Sequence, residues 1–262
     1  MPVVPESHDP ALREARRLVL GAGRVLVLTG AGVSAESGVP TFRGAGGLWR
    51  EYRAEQLATP EAFARDPRLV WEWYGWRREV VRGCAPNAAH LALAALAAGR
   101  EGVTIITQNV DGLHTRAAHA VGEGAERALP IELHGSLFRT RCTVCGRQGE
   151  DAAPVDARDR ESLPACERCC ALLRPDVVWF GESLDPALVG AAFAEAERSD
   201  VCLVVGTSAV VHPAAGIAIT AHARGAQLIE VNPEPTPLTP LAAVSLRVGA
   251  AATVPTIVGE SP

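Results

Sequence analysis

Val25-Leu26-Val27-Leu28-Thr29-Gly30-Ala31-Gly32-Val33-Ser34-Ala35 is the stretch whose reading decides the fold. Residues 25–28 are uniformly apolar and read as a strand buried on both faces. They run straight into Gly30-x-Gly32-x-x-Ala35, the spacing of a dinucleotide-binding turn. Glycines there allow a tight turn and a close approach of backbone N–H groups to a pyrophosphate, and a helix start beyond them adds partial positive charge. The same spacing also serves plain turns, so it needs company. One companion of ordinary hydride-transfer enzymes is missing: their second strand ends in an acidic residue that holds the ribose hydroxyls. Here that strand, Val103–Thr107, continues as Gln108-Asn109-Val110-Asp111. A dinucleotide site survives this comparison; an ordinary dehydrogenase does not.

The rhythm of strand and helix continues outward. Residues 9–22 read as an amphipathic helix with Asp9 as N-cap and Pro10 at its first position. Residues 87–98 form an Ala/Leu-rich helix before the strand Val103–Thr107. A helix over 185–198, the strand Val201–Val205, a helix over 213–224 and the strand Gln227–Val231 follow. Apolar strands alternating with helices predict an α/β fold, a parallel sheet with helices on both faces. Two stretches break the pattern. Residues 42–86 are aromatic-rich and mostly helical with no strand signal, and the stretch from Phe138 to Arg174 is polar and rich in cysteine. Both read as insertions that together build a small second domain, with a ligand cleft between the two.

Five of the seven cysteines cluster in the second insertion. Cys142-x-x-Cys145 and Cys166-x-x-Cys169 have the spacing of a tetrathiolate zinc site. Four thiolates fill a tetrahedral ion and leave no place for water or substrate, so one structural Zn²⁺ is expected to staple this subdomain. Cys170 competes with Cys169 for the fourth position; the usual spacing favours Cys169. Cys84 and Cys202 stand alone, Cys202 in an apolar strand that suits a buried thiol.

The chain of 262 residues carries a net charge of −5, which argues against non-specific nucleic-acid binding. All 25 basic residues are arginine, so only the N-terminal amine could be acylated on this chain. No charged residue occurs between Val201 and Ala223, but Gly206-Thr207-Ser208, His212 and Pro213 break that run into strand, turn and helix. With no signal-peptide pattern at the start, a cytoplasmic protein without a membrane anchor is expected.

These motifs, taken together, resemble the sirtuins, the NAD-dependent protein deacylases. The resemblance spans about 11–255. It rests on Gly30 to Arg43 (GAGVSAESGVPTFR), Thr107-Gln-Asn-Val-Asp111, Leu133-His-Gly-Ser136, both CxxC pairs, Val178-Trp-Phe-Gly-Glu182, Gly206-Thr-Ser208 and Val231-Asn232. It implies a Rossmann-like domain of residues 11–41, 87–137 and 174–255, and a small helical and zinc domain of 42–86 and 138–173, with 1–10 and 256–262 as tails. It also implies NAD as co-substrate and acyl-lysine proteins or peptides as partners, in a monomer.

The resemblance assigns roles. Gly30, Ala31 and Gly32 would face the diphosphate, and Ser34, Ala35 and Glu36 would also bind the cofactor. Thr41, Phe42, Arg43 and Trp49 would belong to the cofactor loop. Gln108, Asn109, Val110 and Asp111 would meet the nicotinamide and its ribose, which accounts for the absent acid after the second strand. Gly206, Thr207, Ser208, Asn232, Pro233, Glu234 and Ala250 would hold the adenosine half. Val178, Trp179, Phe180, Gly181 and Glu182 would pair with the substrate backbone as a strand. His134 would remove a ribose hydroxyl proton, a task suited to a group that titrates near working pH. Alone, a histidine before Gly135 would read as a packed or surface residue. His90, His114 and His119 read as structural.

Tyr74 and Arg77 lie three apart and share a helical face. A guanidinium and a phenol at the end of an acyl tunnel would select a chain ending in a carboxylate. The resemblance places this pair where class III sirtuins carry it, with Ala45 keeping the tunnel wide, and so implies preference for succinyl- and malonyl-lysine, with glutaryl-lysine a candidate and some deacetylation remaining. Two other readings stand beside this one: a mono-ADP-ribosyltransferase on the same fold, and a zinc-ribbon nucleic-acid module, which the acidic charge disfavours.

Overall fold

A computed structural model describes residues 9–40, 48–49, 52–151 and 153–259. In chain order the elements are α1 (Pro10–Gly21), β1 (Val25–Thr29), α2 (Gly32–Ala35), β2 (Leu48–Trp49), β3 (Tyr52–Arg53), α3 (Ala54–Leu57), α4 (Pro60–Arg65), α5 (Pro67–Arg82), α6 (Ala88–Gly99), β4 (Val103–Thr107), α7 (Leu113–Ala120) and α8 (Ala125–Ala128). Then follow β5 (Ile131–Glu132), β6 (Gly135–Cys142), β7 (Gln148–Glu150), β8 (Leu173–Val177), α9 (Pro186–Arg198), β9 (Val201–Val205), α10 (Ala214–Ala223), β10 (Gln227–Val231), β11 (Val244–Leu246) and α11 (Ala250–Val258).

Six strands form a parallel sheet in the order β11-β10-β9-β1-β4-β5. The chain winds outward from β1 to β5 in one direction and from β9 to β11 in the other. Alternate residues of each strand face opposite sides. Val25, Val27, Ile105, Leu203 and Val205 pack with Val19 of α1, Leu93 of α6 and Val254 of α11. Leu26, Leu28, Cys202, Val204 and Leu228 pack with Ala192 of α9 and Ile217 of α10. The α/β expectation is met, with helices on both faces.

A third core joins the two insertions. Trp71, Trp73 and Tyr74 of α5 and Phe63 of α4 pack with Ala157 and Leu163 of the cysteine segment, and also with Val110, Leu137, Val177 and Trp179. Arg78, fully buried, ties α5 down by donating to the carbonyls of Leu137 at 2.6 Å and Ala153 at 3.3 Å. A second sheet, antiparallel in the order β7-β6-β8, carries the cysteines.

Three expectations need correction. Residues 42–86 do contain strands, the two-residue pair β2 and β3, too short to produce a periodic signal. The helix expected after the glycine turn is the single turn α2, too short to build a macrodipole. The supposed tail from 256 begins inside α11, whose Ile257 and Val258 are buried. Among the described residues no helix is long and apolar enough to cross a membrane.

Candidate functional site

In a doubly wound sheet, ligands bind beyond the carboxyl ends of the strands where the winding reverses. Here that point lies between β1 and β9, and the loops leaving them touch. Gly32 N donates to Gly206 O at 2.7 Å and Gly30 N to Val205 O at 3.1 Å. Gly206 has φ +60°, and a Cβ on it would lie 2.2 Å from the Val33 nitrogen. A Cβ on Gly32 would meet Gly206 Cα at 2.7 Å. The glycines expected to make room for a diphosphate serve first to let these two loops meet.

Beneath the loops lies a buried polar network. Ser34 Oγ donates to Asp111 Oδ2 at 2.8 Å and accepts from Asn109 Nδ2 at 3.1 Å. With that proton spent, His90 Nε2, at 3.2 Å, must be the donor to Ser34. His90 Nδ1 then accepts from the Asn87 amide, which agrees with that tautomer. His114 Nε2 contacts Thr29 Oγ1 at 2.9 Å, and Thr29 donates to Thr107. Burial lowers the pKa of His90 to about 4; burial and the neighbouring His90 lower that of His114 to about 3. Burial raises Asp111 despite hydrogen bonds from the Leu113 amide and Ser34 that pull it down. Of the histidines read as structural from sequence, His90 thus holds Ser34 and, through it, Asp111, while His114 contacts Thr29. The role of His90 was illegible because no local spacing joins residues 34, 90 and 111.

His134 sits between β5 and β6, at the carboxyl edge of the sheet. Its Nδ1 lies 2.8 Å from the Gln108 carbonyl oxygen. A carbonyl only accepts, so Nδ1 carries the proton and Nε2 the lone pair. Burial holds the imidazole below its ordinary value, partly offset by that hydrogen bond. The next residue must be glycine: Gly135 has φ +78°, and a Cβ there would lie 2.0 Å from the Asp176 oxygen. The Gln108 side chain donates to Thr207 Oγ1 at 3.0 Å, joining this strand end to the β9 loop. Asn109 and Asp111 are buried and Val110 packs in the third core. Donors and acceptors for an amide and for ribose hydroxyls therefore gather at the switch point, a set that fits NAD.

The sulfurs of Cys142, Cys145, Cys166 and Cys169 all lie within 4.8 Å of one another. Cys142 and Cys169 are 3.4 Å apart and Cys145 and Cys166 3.7 Å, close to the roughly 3.8 Å between sulfurs on a tetrahedral zinc with bonds of about 2.3 Å. The four residues fit the ion. Cys169 is the one gathered with the other three; Cys170, exposed and with φ 58°, is outside the cluster.

The family model described as Sir2 family matches residues 30–213, most of the chain. The chain belongs to the Sir2 family. NAD-dependent protein deacylase 2 of Pyrobaculum aerophilum is 50% identical over 243 residues, 93% of each chain. The mitochondrial protein deacylase sirtuin-5 of Canis lupus familiaris is 49% identical over 252 residues, 87% of this chain and 78% of that one. A solved Sir2 homolog–NAD complex superposes with TM-score 0.84 at 45% identity, covering 96% of this chain and 93% of that one.

In this Sir2 chain the remaining expected residues fall into three places. Thr41, Phe42, Arg43 and Ala45 lie outside the described residues, and of Trp49 only the backbone pairing with Tyr52 is described. Ser208, Asn232, Pro233 and Glu234 sit on loops at the carboxyl ends of β9 and β10, and Ala250, buried, opens α11. Glu36, expected to bind the cofactor, accepts from the Ala251 amide at 2.8 Å and caps α11. Glu230, unremarked in the sequence, is fully buried and accepts from Thr239, Ser245 and Arg247. Arg247 in turn donates to the carbonyls of Asn232 and Glu234 and shapes that loop. A lone carboxylate in an otherwise apolar strand was the available signal.

On the other side, Tyr74 is fully buried, and the Arg77 guanidinium lies 5.4 Å from its ring centroid and 4.9 Å from that of Trp73. Burial pulls the Arg77 pKa down against the attraction of Tyr74 and Asp111, which places it within reach of the Asp111 charge. Residues 178–182 follow β8 with a turn at Phe180 and Gly181; Val178 N donates to His134 O at 3.0 Å and Phe180 N to Ala58 O at 2.9 Å. Glu182, expected to meet substrate, pairs with Arg174 instead.

Proposed function

We propose that this chain is an NAD-dependent protein-lysine deacylase with His134 as general base, acting preferentially on succinyl- and malonyl-lysine, with glutaryl-lysine a further candidate and some deacetylation. The observation that carries the reading is the His134 Nδ1 contact with the Gln108 carbonyl, which points a neutral, basic Nε2 away from the strand end. The names of relatives such as those of Pyrobaculum aerophilum and the dog support NAD dependence and deacylation.

When bound, NAD would supply a ribose carbon to which the acyl oxygen can bond as the bond to nicotinamide breaks and nicotinamide leaves. The chain's own part is to orient and to move one proton. Asn109 and Asp111, held by Ser34, address the nicotinamide end and its ribose; the loops at 206–208 and 232–234 take the adenosine half. His134 Nε2 accepts the hydroxyl proton. Orientation of a neutral, weakly nucleophilic amide oxygen provides much of the rate. Segments 11–41, 87–137 and 174–255 form the nucleotide-binding domain, and the insertions at 42–86 and 138–173 form the small helical and zinc domain, whose α5 carries Tyr74 and Arg77.

Tyr74 and Arg77 form the acyl-carboxylate clamp. Burial raises the Tyr74 pKa, so the phenol stays a donor, and the guanidinium stays charged at any working pH. We further expect a monomer in the cytoplasm, where reducing conditions favour a thiolate zinc site over disulfides, and no nucleic-acid partner. Matched acetyl-, malonyl- and succinyl-lysine peptides, incubated with and without NAD and followed by mass spectrometry, test the preference. The reading expects NAD-dependent loss of succinyl and malonyl faster than acetyl; equal rates on acetyl and succinyl peptides refute the clamp.

A further inference from the structure

Arg174 of β8 is buried at 7% exposure. Its Nη1 and Nη2 grip the Glu182 carboxylate at 2.5 and 2.9 Å, Nη2 also donates to the Val177 carbonyl at 2.8 Å, and Nε to the Pro175 carbonyl at 3.3 Å. The guanidinium carbon lies 3.3 Å from the ring centroid of Trp179. The same Glu182 carboxylate accepts from the Trp179 amide at 2.9 Å. Arg174 and Glu182 thus hold Trp179 by its face and by its backbone. Phe63 closes the opposite approach at 5.4 Å between centroids.

The indole held this way ends on Tyr74: Trp179 Nε1 donates to the phenol oxygen at 2.8 Å. The Arg77 guanidinium carbon lies 5.4 Å from the centroid of the same Tyr74 ring. A phenol has one proton and can accept two hydrogen bonds. With one acceptor position taken by the indole N–H, the phenol proton is turned away from Trp179 and is left to be given to another acceptor. An acyl chain ending in a carboxylate presents one; an acetyl group does not.

We propose that Arg174 is a positioning residue for acyl selection: by stacking on Trp179 it fixes the indole N–H on Tyr74 and so turns the phenol proton toward an acyl carboxylate. This rests on the Tyr74–Arg77 reading above. Lysine at this position would keep a charge for Glu182 but lose the planar fork and the stack.

The test uses the full, zinc-loaded chain and its R174K, W179F and double variants, with kcat and KM measured on succinyl- and acetyl-lysine peptides. R174K and W179F are each expected to lower the succinyl-to-acetyl ratio of kcat/KM about tenfold, through KM, the size of one hydrogen bond to a charged group. The double variant falls no further than the worse single, because both act through one contact. The Trp179 indole ¹⁵N–¹H signal, identified by its loss in W179F, is expected to shift in R174K. An unchanged ratio and an unmoved indole signal in R174K, or losses that multiply in the double variant, overturn the inference. A wild-type ratio near one instead defeats the Tyr74–Arg77 clamp and the selectivity claimed for Arg174. The indole signal then still decides whether Arg174 holds Trp179.

Discussion

The His134 imidazole and the Gln108 carbonyl, 2.8 Å apart, tie the candidate base to the strand end that carries Asn109 and Asp111. The base must be neutral to accept a proton, and burial holds its pKa below the ordinary 6.5. The rate is therefore full above that value and lost as pH falls through the lowered pKa. The kcat/KM profile on a succinyl-lysine peptide should break on its acid side below pH 6.5; a break above it would contradict the assignment.

Arg77→Met removes one charge-assisted contact with an acyl carboxylate. Such contacts are worth roughly 1.5–3 kcal/mol, or about ten- to a hundredfold in kcat/KM. The loss should fall on succinyl- and malonyl-peptides and spare acetyl-peptide. An equal loss on all three would show that Arg77 supports the fold rather than the acyl group.

Cys169→Ser should release the zinc, whereas Cys170→Ser should retain it. Metal content by atomic emission, together with thermal unfolding, separates the two. Zinc loss should also loosen the core that Ala157 and Leu163 share with α5, and so lower the unfolding midpoint. Retention of zinc by Cys169→Ser would reverse the ligand assignment.

His90 and His114 are buried neutral, with pKa values near 4 and 3. In the unfolded chain both titrate near 6.5, so the unfolded state binds more protons below that pH. Their contribution is complete above about pH 6.5 and shrinks as pH falls toward 4. For His90 alone the span is roughly 3 kcal/mol. Urea midpoints should drop across this window, and His114→Gln should flatten the slope. An identical slope in the variant would exclude this histidine as the cause.

Much of this was legible in the sequence. The apolar runs at 25–28 and Val201–Val205 announce the sheet because a strand buried on both faces has nothing polar to lose. The four zinc ligands are readable because two of their three intervals are short and fixed. Contacts between distant segments were not readable. Glu36 reaches the α11 amides, His90 reaches Ser34, and Arg174 reaches Trp179 and Glu182; none of these pairings leaves a periodic trace. The strands β2 and β3 are too short for alternation to show.

The most direct measurement follows a succinyl-lysine peptide with NAD, scoring nicotinamide release and peptide mass together, for the wild-type chain and for His134→Ala. The account predicts one nicotinamide released per succinyl group removed, and a fall of about a hundredfold or more in the variant. Nicotinamide release with the peptide mass unchanged and ADP-ribose attached to protein, or a variant as fast as wild type, would contradict it.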